Sequence, residues 1–271
     1  MKGKIYKTQS GDIHYWINME HGFESITLIF LPGLTADHRL FDKQIEYFKE
    51  KYNVFVWDAP AHAKSWPFKF DFSLMDKAKW LEGILCRENI KHPIIVGQSM
   101  GGYVGQAYAE LFPNRLEGFI SVDSAPLQRK YVTWIELWLL KRMEPVYRLC
   151  PWKMLLKTGT NGVATSEYGR KLMHDIMMTY DGDKERYVKL SGHGMKILAE
   201  AMEANLPYEI RCPARLICGE KDHAGSCIHY NKKWYKNTGL PISWIKNAGH
   251  NSNTDAPQEV NALIEELASK V

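Results

Sequence analysis

The fold of this chain is indicated first by the stretch Val96-Gly97-Gln98-Ser99-Met100-Gly101-Gly102, which matches the pattern Gly-x-Ser-x-Gly. The apolar residues 92–96 predict a short buried strand, and residues 102–111 predict a helix. A serine on a sharp turn between a strand and a helix has a strained backbone, and its close neighbours must lack bulk. Glycines occupy both of those places. The pattern therefore makes Ser99 the candidate nucleophile.

A base and an orienting acid follow Ser99 along the chain. Asp222 follows the apolar segment 214–218, and His250 follows the apolar segment 242–245. The order serine, acid, histidine differs from the orders of the chymotrypsin and subtilisin triads. The sequence predicts that these three side chains form a catalytic triad in which the histidine is the base.

A second aspartate competes for the role of the acid. Asp123 ends the predicted strand 116–122, much as Asp222 follows a strand. Asp222 is preferred because its segment, Gly-Glu-Lys-Asp, resembles the segment that carries the acid in α/β hydrolases. His223, beside it, is interpreted as a loop residue.

The chain resembles the α/β-hydrolase fold superfamily, in the type that carries a helical cap. Besides the Ser99 turn, Phe30-Leu31-Pro32-Gly33-Leu34 is similar to the family segment His-Gly-x, in which the backbone N–H of x helps to hold the oxyanion. The resemblance implies that Leu34 and Met100 supply the two oxyanion N–H groups. Pro32 replaces the histidine, which affects loop stiffness more than chemistry because the donor is main chain.

Another stretch, Trp57-Asp58-Ala59-Pro60-Ala61-His62-Ala63-Lys64-Ser65, is similar to the family segment Asp-x-Pro-Gly-His-Gly-x-Ser. Ala61 and Ala63 replace two of its glycines. Alanine adopts positive φ at a higher cost than glycine. The resemblance therefore implies backbone strain wherever this segment needs positive φ. His62 is expected to pack the loop.

Strand and helix patterns alternate along most of the chain, which predicts an α/β fold with a mostly parallel sheet covered by helices on both faces. Together with the resemblance, this indicates the α/β-hydrolase fold with a helical cap insertion. Residues 127–205 lack a convincing strand pattern. The predicted organisation is a first core part, 1–126, a cap, 127–205, and a second core part, 206–271, which carries the acid and the histidine.

The cap is expected to influence substrate choice. It contains 13 Lys and Arg against 9 Asp and Glu, so its net charge equals the +4 of the whole chain. A solvated helix face is the preferred interpretation of that charge, and attraction of an anionic substrate is the alternative. Residues 132–140 are apolar nearly all round, which indicates burial on more than one side.

Three cap residues are predicted to line the substrate pocket. Trp134 and Trp138 are candidates for its roof, where an acyl chain or ring would lie. A contact in a homodimer or with a lipid surface is the alternative for this apolar segment. His193, in the Gly-rich stretch 191–194, is a candidate for the pocket wall, with a solvent-exposed turn as its alternative.

The composition is that of a protein with a large core, since 45% of the 271 residues are hydrophobic. No run approaches the ~18 consecutive apolar residues of a membrane-spanning helix, and residues 1–11 lack the apolar segment of a signal peptide. A cytoplasmic location without stable membrane insertion is expected. No phosphate-binding glycine loop is present, and basic residues are not interleaved with aromatic ones, so neither a cofactor nor nucleic acid is expected.

The cysteines are expected to be small buried apolar side chains, with no role in a metal site or a disulfide. Their number is odd and no Cys-x-x-Cys spacing occurs. They are Cys86, Cys150, Cys212, Cys218 and Cys227.

These residues imply hydrolysis of a small or medium, partly apolar carboxylic ester, including a lactone or a monoacylglycerol, through an acyl-enzyme on Ser99. A serine at this position disfavours the epoxide hydrolase and dehalogenase chemistry of the superfamily, which uses an aspartate nucleophile. Hydrolytic carbon–carbon cleavage of a vinylogous diketone is one alternative, although residues 34–38 lack the Gly-rich loop of such relatives. A slowly turning-over ligand receptor on the same fold is another.

Overall fold

The computed structural model describes all 271 residues and contains one eight-stranded sheet in the order β1-β2-β4-β3-β5-β6-β7-β8. The first two strands form a hairpin that pairs antiparallel with β4, and all other neighbours are parallel. The strands are β1 (Lys2–Lys7), β2 (Asp12–Asn18), β3 (Thr27–Leu31), β4 (Asn53–Trp57), β5 (Pro93–Gln98), β6 (Gly118–Val122), β7 (Ala214–Gly219) and β8 (Ile242–Ile245).

The central strands are buried along their whole length, as a parallel sheet covered on both faces requires. Successive side chains of β3 point to opposite faces. Leu28 and Phe30 join one apolar cluster, and Ile29 and Leu31 join the other. The fold thus has two cores, one on each side of the sheet.

Helices flank the sheet on both faces. The face of Phe30 is covered by α1 and α11, and the face of Leu31 by α2, α3 and α9. These helices, with the short α10, are α1 (Asp42–Phe48), α2 (Leu74–Arg87), α3 (Met100–Leu111), α9 (Cys227–Thr238), α10 (Ser252–Asp255) and α11 (Pro257–Ala268). The predicted α/β-hydrolase architecture is confirmed.

Only helices occur between β6 and β7. They are α4 (Trp134–Leu140), α5 (Met143–Leu149), α6 (Trp152–Asn161), α7 (Glu167–Met177) and α8 (Lys184–Glu203), with short 3₁₀ turns between some of them. Residues 127–205 are called the cap below, and we propose that they form a separate unit. No helix of the chain combines the length and the apolar character needed to cross a bilayer.

The turn considered for residues 191–194 is wrong, because these residues lie in the middle of α8. The glycines there permit close helix packing instead. A Cβ on Gly192 would lie 2.4 Å from Cβ of Glu144, and one on Gly194 would lie 2.5 Å from Cδ1 of Leu34. The two glycines therefore allow α8 to pack closely against Glu144 and Leu34, and they do not form a turn.

The segment in which alanines replace family glycines does have positive φ. Ala61 has φ of 72° and Ala63 has φ of 35°. A residue with a Cβ in the left-handed region costs roughly 1–2 kcal/mol. His62 between them is buried, and its Nδ1 lies 3.0 Å from the carbonyl oxygen of Pro60. It packs the loop, as predicted.

Candidate active site

Ser99 lies on a tight turn between β5 and α3. Its backbone has φ of 49° and ψ of −116°, outside the regions that ordinary residues prefer. A Cβ on Gly101 would lie 1.9 Å from the carbonyl oxygen of Leu31, and one on Gly97 would lie 2.4 Å from that of Gly101. Both glycines are therefore required for this turn, which presents the Ser99 side chain at the carboxyl end of the sheet.

The structure brings Ser99, His250 and Asp222 into one hydrogen-bonded chain. Nε2 of His250 lies 2.8 Å from Oγ of Ser99, and Nδ1 lies 2.9 Å from Oδ2 of Asp222. A carboxylate only accepts hydrogen bonds, so Nδ1 carries the proton and Nε2 is free to accept from the serine. The other carboxylate oxygen of Asp222 accepts the N–H of Ala224 at 2.8 Å. This geometry suits proton transfer from Ser99.

The charges within this chain of side chains reinforce one another. Burial lowers the pKa of His250, but the charge of Asp222 and its hydrogen bond raise it more, so the net pKa lies above the ordinary 6.5. Burial raises the pKa of Asp222, and the interaction with His250 outweighs it, so the net pKa is below its ordinary value. Asp222 is therefore ionised at neutral pH and stabilises an imidazolium.

Asp123, the rival for the acid, has other partners. Its carboxylate accepts the N–H of Gly219 at 2.7 Å, and the N–H and hydroxyl of Ser252 at 2.8 and 2.6 Å. It makes no hydrogen bond to His250. Burial raises the pKa of Asp123, and the charge of Asp222 raises it further. Its hydrogen bonds connect the end of β7 to the start of α10. Asp222 lies just after β7 and His250 lies just before α10, so Asp123 fixes the two loops that carry them.

Gln98 is a site residue that sequence reasoning missed. Its Nε2 donates to the carbonyl oxygen of His250 at 2.7 Å and to Oδ1 of Asn251 at 3.1 Å. This side chain ties the serine turn to the histidine loop. The only signal in the sequence is its place as the residue before Ser99, where a polar side chain interrupts a buried strand.

The predicted oxyanion donors lie at the same site. Leu34 and Met100 border the same cavity as Ser99 and His250. The N–H of Leu34 makes no hydrogen bond within the protein. Met100 is the first residue of α3, so its N–H has no partner within the helix and lies at the positive end of the helix dipole. Both groups are available to hold a negatively charged oxygen.

Ser99 opens into a cavity of about 360 Å³ whose lining is mainly apolar. Cap helices α4, α5 and α8 form the wall opposite the triad. No Lys or Arg borders the cavity, and Glu136 is the acidic side chain that the cap contributes. The apolar cap residues at the cavity are Val132, Leu139, Leu140, Met143, Met195, Leu198 and Met202.

The prediction that Trp134 and Trp138 roof the pocket is wrong. Their exposures are 68% and 47%, neither borders the cavity, and the guanidinium of Arg142 stacks over the Trp138 ring at 4.3 Å. Helix α4 does reach the cavity, but through Leu139 and Leu140 on its other side. The error is one of rotation, because a helix that is apolar all round does not reveal which face is buried.

His193 does not border the cavity either. It is half-buried against the rings of Phe70 and Phe72, at centroid distances of 5.2 and 4.5 Å. Burial lowers the pKa of His193 to about 4, so the ring is neutral at physiological pH. Its role is in the packing of α8 on the core.

Two groups of side chains bring potential metal ligands within 4.8 Å of one another. Cys218, Asp222 and Cys227 form the first, and Asp37, His38 and Asp58 form the second. Ligand atoms in both are engaged in the protein, since Asp222 binds His250 and Asp58 lies 2.8 Å from Nδ1 of His38. Sequence spacing did not show these clusters because folding assembles each from separate segments.

The expected burial of the cysteines holds for two of the five. Cys218 and Cys227 are buried, Cys150 and Cys212 are intermediate, and Cys86 is exposed. The prediction is thus wrong for Cys86, whose Sγ lies 3.1 Å from a carboxylate oxygen of Glu82 on the surface of α2. The exposed face of an amphipathic helix accommodates this thiol.

Comparison with known families agrees with this architecture, since the alpha/beta hydrolase fold family matches residues 26–148. The matched segment contains the Ser99 turn, and the chain has the α/β-hydrolase fold. It is 25% identical over 259 residues to the 3-oxoadipate enol-lactonase 2 of Acinetobacter baylyi, covering 90% of this chain and 88% of that protein.

Solved structures of α/β hydrolases superpose over nearly the full length. An esterase from Thermogutta terrifontis has a TM-score of 0.74 at 18% identity, with 100% of this chain and 99% of that one covered. The enol-lactonase from Burkholderia xenovorans has a TM-score of 0.76 at 19% identity, with 98% and 100% covered. These likenesses establish the fold, while the family match and the similarity to the Acinetobacter protein support hydrolase activity.

Proposed function

We propose that this α/β hydrolase cleaves carboxylic esters through an acyl-enzyme on Ser99. The observation that carries the proposal is the unbroken hydrogen-bond chain from Ser99 through His250 to Asp222, which opens into an apolar cavity. A buried acid, a histidine whose Nε2 accepts from the serine, and a serine that opens into a cavity are the groups that nucleophilic acyl transfer needs.

In the first half-reaction Oγ of Ser99 attacks the ester carbonyl carbon while its proton passes to Nε2 of His250. The N–H groups of Leu34 and Met100 hold the oxyanion of the tetrahedral intermediate. The ester C–O bond then breaks, and the leaving alcohol takes the proton from His250. Asp222 stabilises the imidazolium between these two transfers.

In the second half-reaction water attacks the acyl-enzyme and gives a proton to His250. The second tetrahedral intermediate collapses, the proton returns to Oγ of Ser99, and the carboxylic acid leaves. Apart from the substrate and this water, every group used is a side chain or backbone N–H of the chain.

The cavity supports a small to medium, partly apolar acyl group. Its volume of about 360 Å³ is near the lower end of the roughly 300–1,000 Å³ of ordinary ligand pockets. Leucine and methionine side chains of the cap would contact an alkyl chain, and methionine adapts to irregular shapes. The similarity of the chain to an esterase and to enol-lactonases supports the inclusion of both open-chain and cyclic esters in the proposal.

A series of p-nitrophenyl esters from acetate to decanoate tests the proposal, with Ser99→Ala as the control. We expect turnover that peaks at a short or medium chain and disappears in the variant. Binding of these esters with turnover below one event per minute would support the receptor alternative. Selective cleavage of a vinylogous diketone in place of every ester would support carbon–carbon hydrolysis.

A further inference from the structure

We propose that Glu136 and Tyr230 form a polar subsite in the cavity wall, which accepts a hydrogen-bond donor or an ammonium group of the substrate and rejects esters with a negatively charged acyl chain. The inference rests on the proposed function, since it assigns the substrate class of that same cavity. Both residues border the cavity that contains Ser99 and His250.

The carboxylate of Glu136 is fixed from two sides. One oxygen accepts the N–H and hydroxyl of Thr133 at 2.8 and 2.7 Å, which caps the start of α4. The other oxygen accepts the hydroxyl of Tyr230 from α9. A carboxylate has about four acceptor positions, so one position on the second oxygen is left for a ligand.

Glu136 is ionised in this setting. Burial raises its pKa, but the hydrogen bonds from Tyr230 and Thr133 lower it more, so the net pKa is below the ordinary value. Burial and the neighbouring carboxylate raise the pKa of Tyr230, which therefore keeps its proton and donates a hydrogen bond to Glu136. The wall carries a fixed negative charge at neutral pH.

No Lys or Arg borders the cavity to offset this charge, although the cap as a whole has an excess of basic residues. The histidine in the lining, His250, is neutral when it acts as the base, and the other carboxylate there, Asp123, is hydrogen-bonded to Gly219 and Ser252. His229 and Lys232, the basic residues nearest along α9, border a different, outward-facing cavity with Asp222. An anionic acyl chain would lose its hydration beside Glu136 without gaining a partner, whereas a hydroxyl, amide N–H or ammonium group would gain one.

A purely structural role for Glu136 makes a different prediction. As the third residue of a helix with a Thr cap, it stabilises α4, and its contact with Tyr230 fastens the cap to α9. If that were its whole role, Glu136→Gln would lower the melting temperature and reduce turnover of all esters alike. Charge selectivity in the substrate series separates the two roles.

The test compares p-nitrophenyl valerate with the mono-p-nitrophenyl ester of glutarate, in which a carboxylate replaces the terminal methyl. In the wild-type protein we expect kcat/KM for the glutarate ester to be at least ~30-fold lower. Glu136→Gln keeps the shape of the side chain and removes its charge, and it should narrow this ratio about tenfold, the effect of one charge at partly screened range. Tyr230→Phe retains the Glu136 charge and should leave the glutarate ester disfavoured.

Equal turnover of the two esters by the wild-type protein would overturn the subsite, even if Glu136→Gln did not fold. An unchanged ratio in a folded Glu136→Gln variant would overturn it as well, while the valerate turnover would leave the ester hydrolase proposal intact. Absence of turnover for both esters would overturn both proposals together.

Discussion

The proposed triad and the cavity wall that faces it are built in different ways. Ser99 and the residues that act with it lie on short connections at the carboxyl ends of β5, β7 and β8, held by backbone bonds such as that from the N–H of Ser99 to the carbonyl oxygen of Val122 at 2.9 Å. The wall consists of cap helices with leucine and methionine side chains. The sheet edge thus fixes the reacting groups, whereas the cap presents an adaptable apolar surface with one charge.

The largest expected effect is on kcat, and it should distinguish the two buried aspartates at the sheet edge, Asp222 and Asp123. Asp222→Asn removes the charge that orients and stabilises His250, so kcat should fall by up to ~10⁴-fold, as in the comparable change of a serine protease. Asp123→Asn changes a group that hydrogen-bonds to neither Ser99 nor His250, and kcat should fall by less than ~10²-fold. Steady-state kinetics on a p-nitrophenyl ester measure both values.

The reverse ranking would assign the acid to Asp123. Circular dichroism and the melting temperature of each variant serve as the control, because Asp123 is hydrogen-bonded to two separate segments and its replacement alters loop stability. We expect a large loss of kcat with an unchanged fold only for Asp222→Asn, because Asp222 is the residue that is hydrogen-bonded to His250.

The pH dependence should show the raised pKa of His250. The base acts when neutral, so kcat/KM should fall about tenfold per pH unit below its pKa and reach a plateau above it. Since the Asp222 interaction raises that pKa, the midpoint of the acid limb should lie above 6.5. The charge of Asp123 also raises this pKa, but Asp222→Asn removes the larger contribution, so its residual activity should have a lower midpoint. A wild-type midpoint below 6.5 would contradict the geometry of the triad.

The smallest expected effect concerns the cap helix α4. Leu140 borders the cavity, and Leu140→Ala should move the preferred ester to a longer acyl chain, with about fourfold in kcat/KM for each additional buried CH₂. Trp138→Ala removes a larger side chain from the exposed face of the same helix and should leave the chain-length profile unchanged. If Trp138→Ala shifts the chain-length profile and Leu140→Ala does not, Trp138 lines the substrate pocket, as the sequence predicts.

The difference between the two regions also explains how far the sequence could predict each. The Ser99 turn is dictated locally, because two glycines and a strand-to-helix change produce it, and the order of Asp222 and His250 follows from the order of the strands. The position of Asp123 at a strand end made it a reasonable rival, and the structure separates the two, because Asp222 is hydrogen-bonded to His250 whereas Asp123 is bonded to Gly219 and Ser252.

In the cap, the decisive information is not local. Helix α4 has apolar residues on several faces, and its rotation is set by tertiary packing, which exposes Trp138 and turns Leu140 to the cavity. The partnership of Glu136 with Tyr230 joins residues 94 positions apart, and no periodicity records it. The same holds for Gln98, whose partners lie more than 150 residues away.

Covalent catalysis by Ser99 can be tested with a fluorophosphonate followed by peptide mass spectrometry. We expect one adduct per chain, located on Ser99, with no labelling of the folded Ser99→Ala variant and slower labelling of Asp222→Asn. An adduct on another residue, or labelling that persists in Ser99→Ala, would show that Ser99 is not the nucleophile.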